Sequence, residues 1–394
     1  MSELFWICLR LGLTSFGGPV AHIGYFREVF VRERRWLEED EFAALVTLCQ
    51  CLPGPSSSQL NFIIGMRRRG LAGGVVAWCG FTLPSALMLI AAGYGVAGLS
   101  DLDSKGWILG LKLAAVAVVA KALLEMGLKH CRNGLTISFA LFATALLLLV
   151  NHPLAAPGCL LIFGWFGWAL LPVRSRPTLD EGLDYWRERE VGTGRPLFWL
   201  GLFFGLFLIL PLLAMLLPKA EWLAWLAAFY RAGGLVFGGG HVILPLLEPG
   251  VVGVGWIDRS TFLAGYGMAQ AVPGPLLTFA AYLGSVFESP SRLGAGLFCL
   301  VAVFLPSLFL VVGILPYWNR LSRWSGFEAT LAGMNAAVVG VLLAAFYDPV
   351  LIHSVTTPSR FGLALIAFGA IGFCKVPTWA MVPMAACAGA LWFG

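Results

Sequence analysis

Leu48-Cys49-Gln50-Cys51-Leu52-Pro53-Gly54-Pro55 stands in the first half of the chain, and Met268-Ala269-Gln270-Ala271-Val272-Pro273-Gly274-Pro275 stands in the second. Both lie inside apolar runs, 42–66 and 262–287. Pro-Gly-Pro cannot continue a helix, since each proline removes a donor and glycine has little helix propensity. Two further apolar runs are interrupted in the same way: 4–26 by Gly17-Gly18-Pro19, and 222–247 by Gly238-Gly239-Gly240. Non-helical backbone at membrane depth is tolerated only where it is buried in protein or lines a wet cavity. The four breaks therefore mark the expected functional interior.

The membrane setting follows from composition. Of 394 residues, 59% are hydrophobic and 12% are charged, and the mean hydropathy is +0.84. A soluble domain carries about 25% charged residues, and half of that cannot cover the surface of a particle this size. A soluble enzyme, a disordered chain and a nucleic-acid-binding domain are thereby excluded. The net charge of +5 includes no basic block suited to nucleic acid, and nine cysteines are scattered without a CxxC pair. Cys49 and Cys51 form a lone CxC, which reads better as small core residues than as a metal site. Met1–Leu4 has no basic region and Arg10 interrupts the next apolar run, so no signal peptide is expected.

Uninterrupted spans are expected at 71–98, 106–127, 197–217, 293–316 and 327–347, with shorter ones at 135–150, 154–172, 361–373 and 376–393. The four short ones lie near the lower limit of about 17 residues for crossing a bilayer. The polar stretch Val173–Pro196, with five Arg and five acidic residues, reads as a solvated loop, partly helical at Asp180–Glu190.

The chain repeats itself. Arg10 and Phe16-Gly17-Gly18 return as Arg231 and Phe237-Gly238-Gly239; Trp36, Phe42, Gln50 and Pro53-Gly54-Pro55 return as Trp256, Phe262, Gln270 and Pro273-Gly274-Pro275. Leu83-Pro84-Ser85 and Gly110 return as Leu305-Pro306-Ser307 and Gly333. Expected boundaries are a repeat at 1–172, a linker loop with a linking helix at 173–221, and a repeat at 222–394. Arg27, Arg32, Arg34, Arg35 and Arg67-Arg68-Arg69 surround the first Pro-Gly-Pro, whereas Arg259 and Arg292 alone flank the second. Inverted topology explains that asymmetry. If the four broken runs re-enter and nine segments span, 17 Lys/Arg fall on the cytoplasmic side and five on the other, in accord with the positive-inside rule. The expected fold is thus an all-α integral membrane protein of two inverted repeats, with about 9–13 membrane segments and a cytoplasmic N-terminus; 4–26 and 222–247 can instead cross fully.

Four basic residues lie inside apolar runs: Arg10, Lys112, Lys121 and Arg231. A charge at the bilayer centre costs about 2.5–3.5 kcal/mol on insertion scales, so it usually serves a purpose. Lys121 has Glu125 at i+4, and a local ion pair explains it. Arg10 and Arg231 occupy equivalent positions: they can face one central cavity, or sit at the hairpin mouths and bind lipid phosphate or loop carboxylates. Lys112 aligns with Asn335, as a donor pair at the same cavity or as helix-packing polar residues. After each Pro-Gly-Pro a short helix can begin, with Ser56-Ser57-Ser58 in one half and Thr278 in the other. Free N–H groups at such an N-terminus favour anions, hydroxyls add donors, and Gln50 and Gln270 bring amides. A cation site would need intramembrane acids, of which Glu125 is the lone candidate, unmatched in the repeat. His22 and His241 follow the glycine breaks, as proton carriers or as satisfied interfacial histidines. Trp165-Phe166-Gly167-Trp168 reads as an interfacial belt. No protease, hydrolase or P-loop motif appears, so no enzyme activity, cofactor or metal is expected.

Arg10-x5-Phe16-Gly17-Gly18-Pro19, Arg32-Glu33-Arg34-Arg35-Trp36-Leu37, Leu48-Cys49-Gln50-x2-Pro53-Gly54-Pro55 and Phe81-x-Leu83-Pro84-Ser85 resemble the signatures of the chromate ion transporter family. The second half repeats the pattern more loosely in Phe237-Gly238-Gly239-Gly240-His241, Gln270-Ala271-Val272-Pro273-Gly274-Pro275 and Phe304-Leu305-Pro306-Ser307, so the chain is similar to the long, two-domain form. The resemblance implies a multi-pass carrier of the prokaryotic inner membrane that exports chromate, confers chromate resistance and draws on the proton motive force. It implies a functional core at Gly17, Gly18, Gln50, Pro53, Gly54 and Pro55, with Pro273, Gly274 and Pro275 as counterparts. Expected partners are chromate or a related oxyanion and the lipid bilayer, not nucleic acid, and a homodimer is compatible. Charge and geometry do not separate chromate from sulfate, and a channel or binding protein without alternating access is the alternative of another class.

Overall fold

The computed structural model describes residues 1–99, 105–150, 152, 154–172, 196–322, 324 and 326–394. The loop expected at 173–196, with its helical part at 180–190, lies outside the described residues apart from Pro196. The chain is all-helical, with no strand among the described residues. Among the described residues, five helices are long and apolar enough to cross a membrane.

The first half holds α1 (Ser2–Thr14), α2 (Gly18–Phe26), α3 (Glu39–Cys51), α4 (Ser56–Ala97), α5 (Gly106–His130), α6 (Gly134–Leu149) and α7 (Ala155–Leu170). Helix α8 (Pro196–Leu216) follows. The second half holds α9 (Glu221–Gly234), α10 (Ile243–Val251), α11 (Arg259–Ala269), α12 (Phe279–Val286), α13 (Arg292–Ile314), α14 (Phe327–Ala345), α15 (Pro358–Gly372) and α16 (Thr378–Phe393). Local chemistry sets several boundaries. Asn133 and Thr136 form a capping box at α6, Asp258 caps α11 through the Thr261 N–H, and three acids occupy the first turn of α3, where the helix dipole favours them. Helix α4 leaves helical geometry at Arg69 and Gly70, so its two parts correspond to α12 and α13.

The halves are interlocked by contacts that come in pairs. Within each half, α1 packs on α4 and α9 on α13 through a glycine that admits a backbone carbonyl: Gly12 meets Phe81 O, and Gly233 meets Val303 O. Between halves, α15 and α16 pack on α5, while α6 and α7 pack on α14. Gly110 lies against the carbonyl of Ala385, and its counterpart Gly333 lies against the carbonyl of Phe163. Small residues allow this approach, which supplies the packing energy that apolar contact with lipid does not. Each half's terminal hairpin is therefore lodged in the other half. The contacts are thus reciprocal between the halves.

The equivalent helices α4 and α13 pack against each other. Trp78 and Phe304 have ring centroids 5.4 Å apart, and Ile90 lies against Gly296. Residue numbers rise along one helix as they fall along the other, so the two run antiparallel.

Charge follows the repeat with its polarity exchanged. Arg27, after the first glycine break, pairs with Glu39 at the start of α3. In the second half Glu248 holds the first role and Arg259 the second, at 3.0 Å. Lys121 pairs with Glu125 at 3.6 Å, as the i+4 spacing predicts. One sequence expectation is corrected here: Glu125 does have a counterpart. The register that places Asn335 opposite Lys112 places Asp348 opposite Glu125; the helix breaks into a wider turn over Phe346–Leu351 and hides the correspondence.

Candidate functional site

The four breaks meet. The chain leaves α1 at Ser15 and restarts at Gly18, with Gly17 and Gly18 at positive φ; Gly238 and Gly239 do the same in the second half. The Gly274 N–H of the second Pro-Gly-Pro donates to Ser15 O at 2.9 Å, and the Gly54 N–H of the first donates to Val236 O at 2.6 Å. Ser15 and Val236 each directly precede their Phe-Gly-Gly, so each half's Pro-Gly-Pro is pinned to the other half's glycine break. The same exchange recurs in the Leu-Pro-Ser elements. Gly54 lies against Ser307 and Gly274 against Ser85, while those serines donate to Phe304 O at 2.9 Å and Thr82 O at 3.0 Å.

Contacts within each half close the ring. His22 is buried and spans the first half's two breaks, its Nε2 3.2 Å from Ser15 O and its Nδ1 3.2 Å from Ser57 Oγ. A carbonyl only accepts, so a neutral ring carries its proton on Nε2 and accepts from the Ser57 hydroxyl at Nδ1. In the second half Leu276, directly after Pro275, packs on Gly240, and His241 Nδ1 lies 2.9 Å from the Tyr266 hydroxyl.

Four buried polar side-chain atoms around this ring have no partner among the described residues: Ser15 Oγ, Ser58 Oγ, Gln59 Oε1 and Gln270 Nε2. A buried polar atom left unpaired costs about 1–3 kcal/mol, and native proteins keep few of them. Several at one place are the signature of a site whose ligand completes them. The first-turn N–H groups of α4 add donors, since no side chain caps that helix.

The expected site residues are distributed as follows. Pro53, Gly54, Pro55, Pro273, Gly274, Pro275, Gly17, Gly18, Gly238, Gly239, Ser57 and Gln270 belong to the ring. Ser56 is half-buried and Gln50 is exposed. The amide buried at the first break is instead Gln59, whose Nε2 donates to Pro53 O at 2.7 Å. Thr278 spends its hydroxyl proton on Pro275 O at 2.7 Å, and a single 3-10 turn, Leu276–Thr278, precedes α12. The two halves are thus not equal donors. Lys112 Nζ donates to Ser260 Oγ at 3.0 Å, whereas Asn335 borders Gly238.

Arg10 is exposed on α1. Arg231 lines a cavity of about 270 Å³ with His152, Glu248, Arg259 and Asp348 among its walls, which do not include Arg10. Sequence reasoning named Ser58 within the serine run and missed Ser15 and Gln59. Gln59 was legible as the continuation of that run after Pro55, whereas nothing in the local sequence marks Ser15.

The family model described as "Chromate transporter" matches residues 2–168 and 223–391. The chain is 28% identical over 377 residues to a chromate transport protein of Pseudomonas aeruginosa, covering 93% of this chain and 85% of the relative. It is 27% identical over 398 residues to a probable chromate transport protein of Synechococcus elongatus, covering 100% and 96%. A chromate transport protein of Cupriavidus metallidurans is 26% identical over 357 residues, covering 88% and 81%. No solved structure matches the chain.

Proposed function

The chain belongs to the chromate transporter family, and on that premise we propose that it exports chromate across the prokaryotic inner membrane by alternating access, so conferring chromate resistance. The observation that carries this reading is the reciprocal pair of hydrogen bonds, Gly54 N–H to Val236 O and Gly274 N–H to Ser15 O. Through them neither half can move without repositioning both breaks of the other. A tetrahedral anion at the ring takes donors from Ser58, Gln270 and the first turn of α4. Arg10 and Arg231, one from each half, lie off the ring and supply positive charge along the path to it. Rocking of the repeats 1–172 and 222–394, joined by 173–221, exchanges the exposed face.

The repeats are read as inverted. Antiparallel α4 and α13, if both span the bilayer, place the two-fold axis in the membrane plane. The excess of Lys and Arg on one side supports the same arrangement with a cytoplasmic N-terminus. Cysteines replacing Arg68 and Arg292, in a background without the exposed Cys374 and Cys387, are expected to react with impermeant maleimide from opposite faces. Reaction from one face would remove the inversion.

An inside-negative potential favours outward movement of a dianion, at about 2.3 kcal/mol per charge per 100 mV. Everted vesicles should therefore show saturable uptake of labelled chromate that falls when the potential is collapsed and that excess sulfate blocks weakly. Complete suppression by low sulfate would reassign the substrate to sulfate or another tetrahedral oxyanion. Uptake that neither saturates nor shows trans-stimulation would replace the carrier by a channel.

A further inference from the structure

The cavity beside Arg231 lies apart from the ring and has a chemistry of its own. Its apolar walls include Leu147, Leu148 and Val341, and Leu148 and Val150 are exposed on the molecular surface. Arg231 is half-buried there and makes no hydrogen bond or ion pair among the described residues. Arg259 is held in place, with Nη2 donating to Glu248 at 3.0 Å and Nη1 engaging His353, yet its Nε is buried without an acceptor. His152 accepts the Leu154 N–H at Nδ1, at 3.2 Å, so a neutral ring carries its proton at Nε2 and is a donor there.

We propose that this cavity is a second anion site, taking a singly charged tetrahedral oxyanion group: a lipid phosphodiester, or a free oxyanion that retains one proton. The charge count selects a single charge. Glu248 is cancelled by Arg259, and Asp348 is half exposed, 3.4 Å from His353. The walls carry two guanidiniums against two carboxylates, and Arg231 is the guanidinium with no carboxylate partner among the described residues, so a dianion would add two negative charges to walls that are already balanced. Arg231 offers a fork that fits two oxygens of such a group, with His152 Nε2 as a further donor. A cavity of about 270 Å³ holds a tetrahedral anion with room for water, since a water's share of liquid volume is about 30 Å³. The site extends the transport reading at Arg231 and rests on it only for the identity of a free anion.

The test uses the full chain, delipidated in an uncharged maltoside detergent, so that its outcome does not depend on transport. Labelled inorganic phosphate is titrated by equilibrium dialysis, and phosphatidylglycerol is counted by native mass spectrometry. Wild type is expected to bind at least one of the two probes at this site, and Arg231→Gln to weaken that binding about tenfold or more, as loss of a charged hydrogen-bond pair implies. Displacement of phosphate by phosphatidylglycerol identifies the lipid source; phosphate binding that the lipid leaves untouched identifies the free anion. Binding of both probes by Arg231→Gln at wild-type strength overturns the site. Should that variant not fold, Ala156→Leu narrows the cavity without touching a charge: loss of binding supports the site, and retention overturns it.

Discussion

Gly54→Ala is expected to abolish transport while the protein still reaches the membrane, and Gly274→Ala to do the same. Gly54 has φ +121° and Gly274 φ +97°, and a non-glycine residue in such a conformation costs on the order of 1–3 kcal/mol. Contact adds to this. A Cβ on Gly54 would stand 2.4 Å from the Ser307 Cβ and 2.6 Å from Gln59 Nε2; one on Gly274 would stand 2.9 Å from Ser85 Oγ. Overpacking of that kind costs about 1–3 kcal/mol more. The strain falls on the peptide groups that donate to Val236 and Ser15, so it loosens both the ring and the contact between halves. Chromate flux into everted vesicles, normalised to membrane protein, is the readout. The predicted crossing of the halves makes a sharper test: Ser307→Gly should restore part of the Gly54→Ala activity and none of the Gly274→Ala activity, with Ser85→Gly behaving conversely. Rescue without that pairing would dissociate the breaks from the Leu-Pro-Ser elements.

Arg10→Gln and Arg231→Gln are each expected to lower chromate flux about tenfold to a hundredfold at unchanged protein level. A charged hydrogen bond to a desolvated anion is worth about 1.5–3 kcal/mol, and every 1.4 kcal/mol is a factor of ten. The two differ in setting. Arg10 is exposed, and its loss leaves no buried group unsatisfied, so protein stability should not change. Arg231 lines a cavity with Glu248, Arg259 and Asp348, so its replacement leaves two carboxylates against the single guanidinium of Arg259 and should lower the melting temperature as well. Wild-type flux in both variants would remove the arginines from the transport path.

The outline of the fold was legible because membrane insertion writes itself into composition and punctuation. Apolar runs had to become helices, since nothing else satisfies backbone in lipid. Pro-Gly-Pro and Gly-Gly had to interrupt them, and the repeat exposed the pairing of α1 with α9 and α5 with α14. Within the site, sequence singled out the breaks and Gln270 by residue type alone. Spacing did not reveal that Thr278 spends its hydroxyl proton on Pro275 O or that Gln50 is exposed, because a rotamer decides the first and packing the second. Sequence reading named Glu125 but passed over its match to Asp348, because the offset between the repeats shifts along the chain. That Gly54 belongs with Val236, Gly274 with Ser15, and each terminal hairpin with the opposite half is a matter of long-range packing between segments that share no local signal. Repeats say which elements are equivalent; only close approach through small residues, in contacts reciprocal between the halves, decides which of the equivalent partners each element takes.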